Sequence, residues 1–245
     1  MARKNKDLVD KYVSEEVAHK IDTQVKYAND DPIHQVHEYG IDLKIGHIYL
    51  MGEESYIFSG SEGEEPGVEF SMANKFIKNM NILMRKNGID RILIHMKTSG
   101  GDWQEGMAIY DMIRACPLPV VILNYTHARS MSSLILQAAD KRVMMPHSYF
   151  MFHEGEGSLA GTEKQIRSAM EWSKGIDKQM MDVYVGSMKE RGSMSRKSEG
   201  AIRTWLRSQM DKKEDVFLTP SEAIDLGFAD EIFNHDWKAL VNNFR

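Results

Sequence analysis

The sequence predicts an α/β protein built on a largely parallel sheet. Apolar, β-branched runs of strand length, RILIHM at 91–96 and VVILNY at 120–125, alternate with stretches whose apolar residues recur at helical spacing. Glycine-rich or polar turns separate them. Strands that alternate with helices form βαβ units, in which each helix returns the chain to begin the next strand in the same direction.

In chain order, residues 1–45 are polar and weakly periodic and read as an arm with some helix, set apart from a domain spanning 46–245. His34 and His37 in DDPIHQVHEYG have no further ligands nearby at metal-site spacing, so they read as surface histidines and no metal is expected. IGHIYLMG (45–52) reads as a strand and SGSEGEEPG (59–67) as an acidic, glycine-rich loop. Over 70–85, Met72, Phe76, Ile77, Met80 and Leu83 recur at helical spacing. Then follow the strand RILIHM, the tight loop TSGGDW, the helix QEGMAIYDMIRAC, the strand VVILNY, the helix SMSSLILQAAD and the short strands RVMM and SYFMFHE. A long amphipathic helix rich in methionine is expected over 162–189, ended by the polar breaker RGSMSRKSEG. TPSEAIDLG carries a full set of helix signals: Thr219 as N-cap, Pro220 at the first position, Glu222 closing a capping box and Gly227 at the stop.

Composition excludes several classes. A chain of 245 residues with 42% hydrophobic and 27% charged residues has the make-up of a soluble domain with a real core. A formal charge of −5 argues against general nucleic-acid binding, which needs a basic footprint. No apolar run reaches the length of a membrane span, and the charged start MARKNKDLVDKYVSEEVAHK lacks the apolar centre of a signal peptide. The single cysteine, Cys116, excludes an internal disulfide and fits a reducing compartment, so a cytoplasmic location is expected.

Four segments can carry chemistry. Ser130 stands at the junction of a β-branched strand and an apolar helix, where a hydroxyl is exposed beside N–H groups without intrahelical partners. Its alternative is an ordinary helix N-cap. Ser132 and Ser133 lie inside the helix and are poorer nucleophiles. His153 ends the hydrophobic run FMFHEG and could take the serine's proton, or be structural. KTSGGDW at 97–103 lacks both a phosphate-loop GK[ST] and the dinucleotide glycine spacing, which leaves a tight turn with an unhindered N–H. In 211–219 an acid just before a short strand could orient the base, but periodicity does not choose among Asp211, Glu214 and Asp215.

These segments together resemble the Clp protease proteolytic subunit (ClpP) family of the ClpP/crotonase superfamily, from about residue 45 to 232. GGDWQEGMAIYDMIR resembles the family's PGG loop and following helix, and ARSMSSLILQAAD its A-x-S-M-x-x-x-L-L segment. MPHSYFMFHEG is similar to its L-P-N-x-x-x-M-I-H segment, and DVFLTPSEAIDLGFAD to its closing D-x-F-x-[ST] segment. The resemblance implies a fold of repeated ββα/βαβ units with a protruding handle helix. It implies Ser130 as nucleophile, His153 as general base, Asp215 as orienting acid, and the backbone amides of Gly101 and Met131 as oxyanion donors, without a cofactor. It further implies a homo-oligomeric ring, single or stacked in pairs, that encloses a chamber and is fed unfolded polypeptide by an AAA+ unfoldase.

Four positions depart from the pattern. Ser99 replaces the proline of PGG, Thr126 a glycine, Arg129 a small residue before the nucleophile, and Glu214 an arginine used in ring-to-ring contact. Alternative functions within the same resemblance are an inactive ring partner, a virus-encoded capsid-maturation protease and a crotonase-type acyl-CoA hydratase or isomerase.

Overall fold

A computed structural model of the chain describes residues 31–52, 67–155, 157 and 159–242. The acidic loop expected at 59–67 lies outside them except for Gly67, as do residues 1–30 of the expected arm. Residues 32–42 of that arm form a helix, α1 (Pro32–Tyr39), and a short strand, β1 (Ile41–Asp42), whose Ile41 joins the core.

From there the βαβ reading holds. β2 (His47–Met51) leads to α2 (Phe70–Arg85), β3 (Ile92–Thr98), α3 (Trp103–Arg114) and β4 (Val120–Arg129). Next come α4 (Met131–Gln137), β5 (Lys141–Met144), β6 (Tyr149–Phe152) and the long α5 (Glu163–Arg191). The chain closes with α6 (Glu199–Lys213), β7 (Val216–Leu218), α7 (Pro220–Leu226), β8 (Glu231–Ile232) and α8 (Trp237–Asn242). The sheet order is β1-β2-β3-β4-β5-β8, with β6 pairing the end of β4 and β7 pairing β6. All pairs are parallel except β1–β2 and β6–β7. The sheet is therefore mixed, with a parallel centre.

Alternation along the central strands divides the core. On β3 and β4, Ile92, Ile94, Met96 and Ile122 face the main cluster, where they meet Phe76 and Met80 of α2, Ile109 of α3, Leu134 of α4 and Met181 and Tyr184 of α5. The residues between them, Leu93, Val121 and Leu123, face the other side with Val143, Phe233 and Leu240. A strand buried on both faces reads as an unbroken apolar run, which is why RILIHM and VVILNY stand out in the sequence.

Three elements differ from expectation. β4 runs past VVILNY to Arg129: residues 121–124 pair β5, and residues 127–129 find a new partner in β6. α4 is only two turns long. α6 has no counterpart in the sequence reading, because its polar start hides a narrow stripe of three buried residues, Ile202, Leu206 and Met210, behind the N-cap Ser198. The capping box at Thr219 and Glu222 and the left-handed stop at Gly227 form as the sequence signals.

On the second face of the sheet, His95 Nε2 lies 3.0 Å from His47 Nδ1 and its Nδ1 2.9 Å from the Tyr125 hydroxyl, while its ring stacks on Tyr49 at 4.5 Å. Burial, with the neighbouring His47, pushes its pKa down to about 4. The unfolded chain, titrating near 6.5, then binds the extra proton first as the pH falls. The stability tied to a neutral His95 is fully present above about pH 6.5 and is lost towards pH 4, by about 3 kcal/mol. Urea unfolding midpoints should therefore drop between pH 7 and 4.5, and His95→Phe should remove much of that drop. An equal drop in the variant would count against this assignment.

Candidate active site

Strand register assembles the site. β4 and β6 run parallel with Arg129 opposite Met151, and the Ser130 N–H donates to the Met151 carbonyl at 3.2 Å. β6 and β7 run antiparallel with Phe152 opposite Val216. One residue further, beyond β6 and before β7, His153 and Asp215 face each other. The His153 Nδ1 to Asp215 Oδ1 distance is 3.2 Å, and His153 Nε2 lies 2.9 Å from Ser130 Oγ. Among the described residues Asp215 is the carboxylate that meets the ring, in place of Asp211 or Glu214.

Ser130 occupies the N-cap position of α4, but its side chain makes no capping hydrogen bond. Its backbone sits at φ 51°, ψ −128°, a conformation that costs a non-glycine residue about 1–3 kcal/mol. A conformation unfavourable for the residue and a hydroxyl turned from the helix to a histidine both exclude the ordinary cap. The glycine loop makes room for this turn. A Cβ on Gly100 would fall 2.8 Å from Ser130 Cβ and 2.9 Å from the Met131 nitrogen, so only glycine lets the loop approach the elbow so closely.

The next loop residue, Gly101, is held by Val68. The Val68 N–H donates to the Gly100 carbonyl and the Asp102 N–H to the Val68 carbonyl. These bonds use the groups on either side of Gly101, and its own N–H points away from Val68. The Met131 N–H opens α4, where a first-turn amide has no intrahelical acceptor. The bridge at Val68 has no signal in the sequence, since it follows the acidic loop and belongs to no strand.

The other two serines are fully buried and bound. Ser132 Oγ donates to the Thr98 carbonyl at 2.8 Å. Ser133 Oγ donates to the Ser130 carbonyl at 2.6 Å and also lies 2.6 Å from the Tyr184 hydroxyl. Because the single Ser133 proton goes to Ser130, Tyr184 is the donor to Ser133. Burial pushes the Tyr184 hydroxyl far above its ordinary value, which keeps that proton in place. No metal-binding group of three or more His, Cys, Asp or Glu side chains occurs among the described residues.

A hydroxyl hydrogen-bonded to a histidine whose other nitrogen meets a carboxylate is the equipment of an acyl-transferring serine hydrolase. Comparison with known proteins narrows the class to peptidases. The Clp protease family model matches residues 50–236, and the chain belongs to that family of serine peptidases. It is 30% identical over 187 residues to the ATP-dependent Clp protease proteolytic subunit 3 of Parasynechococcus marenigrum (strain WH8102), covering 76% of this chain and 85% of that one. It is 28% identical over 191 residues to the subunit 3 of Synechococcus sp. (strain CC9902), covering 77% and 87%. With the ATP-dependent Clp protease proteolytic subunit of Deinococcus radiodurans it shares 27% over 169 residues, or 68% and 76%.

Ser133→Ala should lower stability by about 1–3 kcal/mol, since it leaves the buried Tyr184 hydroxyl unpaired, and Tyr184→Phe by about 0.5–1.5 kcal/mol, since Ser133 keeps its bond to the Ser130 carbonyl. Chemical denaturation measures this, and a change below the error of the method in both variants would remove the buried hydroxyl relay from the account of the site.

Proposed function

We propose that this chain is the proteolytic subunit of an ATP-dependent Clp-type endopeptidase and cuts unfolded polypeptide with Ser130, His153 and Asp215. The observation that supports this best is the continuous contact from Ser130 Oγ through His153 to Asp215, at 2.9 and 3.2 Å. With Nδ1–H donated to Asp215, Nε2 is left to accept the Ser130 proton as Oγ bonds to the scissile carbonyl carbon. The amides of Gly101 and Met131 take the negative charge that forms on the carbonyl oxygen. His153 then returns the proton to the departing amine, the C–N bond breaks, and an acyl-enzyme on Ser130 remains. Water, giving a proton to His153, attacks the ester carbonyl carbon. The tetrahedral intermediate collapses as the C–Oγ bond breaks, and His153 returns the proton to Ser130 Oγ while the new carboxyl terminus leaves.

The assembly reading rests on α5. Its second half lies in the core through Met180, Met181, Tyr184, Val185 and Met188, whereas its first half leaves Met170 and Trp172 exposed at 55% and 63%. Such apolar surface is buried by a partner, and a second copy of this chain is the partner we assign to it, in a homo-oligomeric ring. An AAA+ unfoldase supplies the ATP-driven step, so the chain itself holds no cofactor. Among the described residues no helix is long and apolar enough to cross a membrane. The cytoplasm is the location that fits a single cysteine and this activity.

Labelling with a fluorophosphonate probe and peptide mapping should find the adduct on Ser130 and none in Ser130→Ala, which should also lose peptidase activity. An adduct on Ser132 or Ser133 would overturn the assignment. His153→Ala should lower kcat on the order of a thousandfold or more. Light scattering should give a multiple of 28.1 kDa, and a stable monomer at micromolar concentration would end the chamber reading.

A further inference from the structure

Arg129 is the last residue of β4, next to Ser130, and its side chain is exposed. It is anchored at one point: Nε donates to the Ser99 carbonyl at 3.2 Å, in the loop that continues into Gly100 and Gly101. That bond holds the guanidinium beside the elbow. Its two terminal nitrogens have no further hydrogen bond or ion pair among the described residues. Two acids of the site's loops are already engaged. The Asp102 carboxylate caps α3 through the Gln104 and Glu105 amides, and Asp215 meets His153. The cation also stands out from its background, because the chain as a whole carries a charge of −5. A planar guanidinium oriented by one bond, with its terminal N–H groups unspent, matches a carboxylate in geometry and charge.

We propose that Arg129 is a specificity-determining residue, which binds the side-chain carboxylate of an Asp or Glu in the substrate close to the scissile bond. The inference rests on the peptidase reading above. Arg129 directly precedes the nucleophile, and an extended peptide advances about 3.3 Å per residue. The contact therefore falls on the one or two residues to either side of the cut. Binding there makes this chain selective for acidic segments of unfolded polypeptide, and it does so in the Michaelis complex, so the effect lies chiefly in KM.

The test uses quenched fluorescent peptides that differ only by Asp, Ala or Lys at each of the two positions on either side of the cut. The full-length assembled protein is assayed as wild type, Arg129→Ala, Arg129→Lys and Arg129→Glu. Wild type should favour Asp over Lys at one position by about five- to tenfold in kcat/KM, as suits one partly exposed charge-assisted contact. Arg129→Ala should bring that ratio close to one, Arg129→Lys should retain part of it, and Arg129→Glu should reverse it. Equal ratios in all four proteins would overturn the proposal. So would a uniform loss of turnover on every peptide in Arg129→Ala, which would make the residue only a tether for the Ser99 loop. Failure of the peptidase reading looks different: wild type cleaves none of the peptides and Ser130 takes no fluorophosphonate, and the specificity assignment then falls with it.

Discussion

The two-sided pairing of β6 is the constraint on which the site depends. Four residues long, this strand runs parallel to the end of β4 on one edge and antiparallel to β7 on the other. One pairing sets the level of Ser130 and the other that of Asp215, while β6 itself ends in His153. A slip of one residue in either ladder would turn a site residue to the opposite face of the sheet. The relative positions of three side chains far apart in sequence are thus fixed by backbone hydrogen bonds, which are less adaptable than side-chain rotamers. Phe150 and Phe152 of the same strand are fully buried against Phe228 and Tyr184, which anchors β6 from below.

The unfavourable backbone of Ser130 persists because its surroundings leave it no alternative. Gly100 lies against it, Ser132 fastens the first turn of α4 to the end of β3, and Ser133 holds the Ser130 carbonyl itself. The far end of α4 is tied as well. Arg142 donates to Gln137 Oε1 at 2.7 Å, to the Gly227 carbonyl at 2.8 Å and to both oxygens of Asp230. Burial would push the Asp230 carboxyl up, but the hydrogen bonds and charge of Arg142 outweigh it and hold it below the ordinary carboxylate range. A buried pair so fully hydrogen-bonded joins α4, β5 and the turn before β8, and removing one partner from such a pair typically costs about 3–5 kcal/mol.

The parts of this architecture that obey a period or a cap could be read from the sequence. RILIHM, VVILNY, the helix at 70–85 and the Thr219–Gly227 unit each satisfy a local rule, and the structure follows it. The second half of β4 and all of α6 escaped for physical reasons. Residues 127–129 are strand because β6 lies beside them on one edge and Thr98 of β3 meets Ala128 on the other, and α6 is defined by burial of three side chains that its polar sequence conceals. The meeting of Ser130, His153 and Asp215 depends on a register that no local pattern encodes. Their geometry could be anticipated only from the order of four motifs resembling one family, and the choice of Asp215 over its neighbours came from there as well. The Val68 bridge that holds Gly101 had no such signal at all.

The long helix α5 carries, in the middle of its buried half, the start of the hydroxyl relay that reaches the elbow: Tyr184 to Ser133 to the Ser130 carbonyl. Its first half stands outside the core. The helix is therefore a single rod with one half outside the core and the other joined by hydrogen bonds to the peptide unit of the strained elbow. A molecule bound against the outer arm would touch an element tied to Ser130 without entering the site, so any effect it had on the elbow would not be relieved by added substrate.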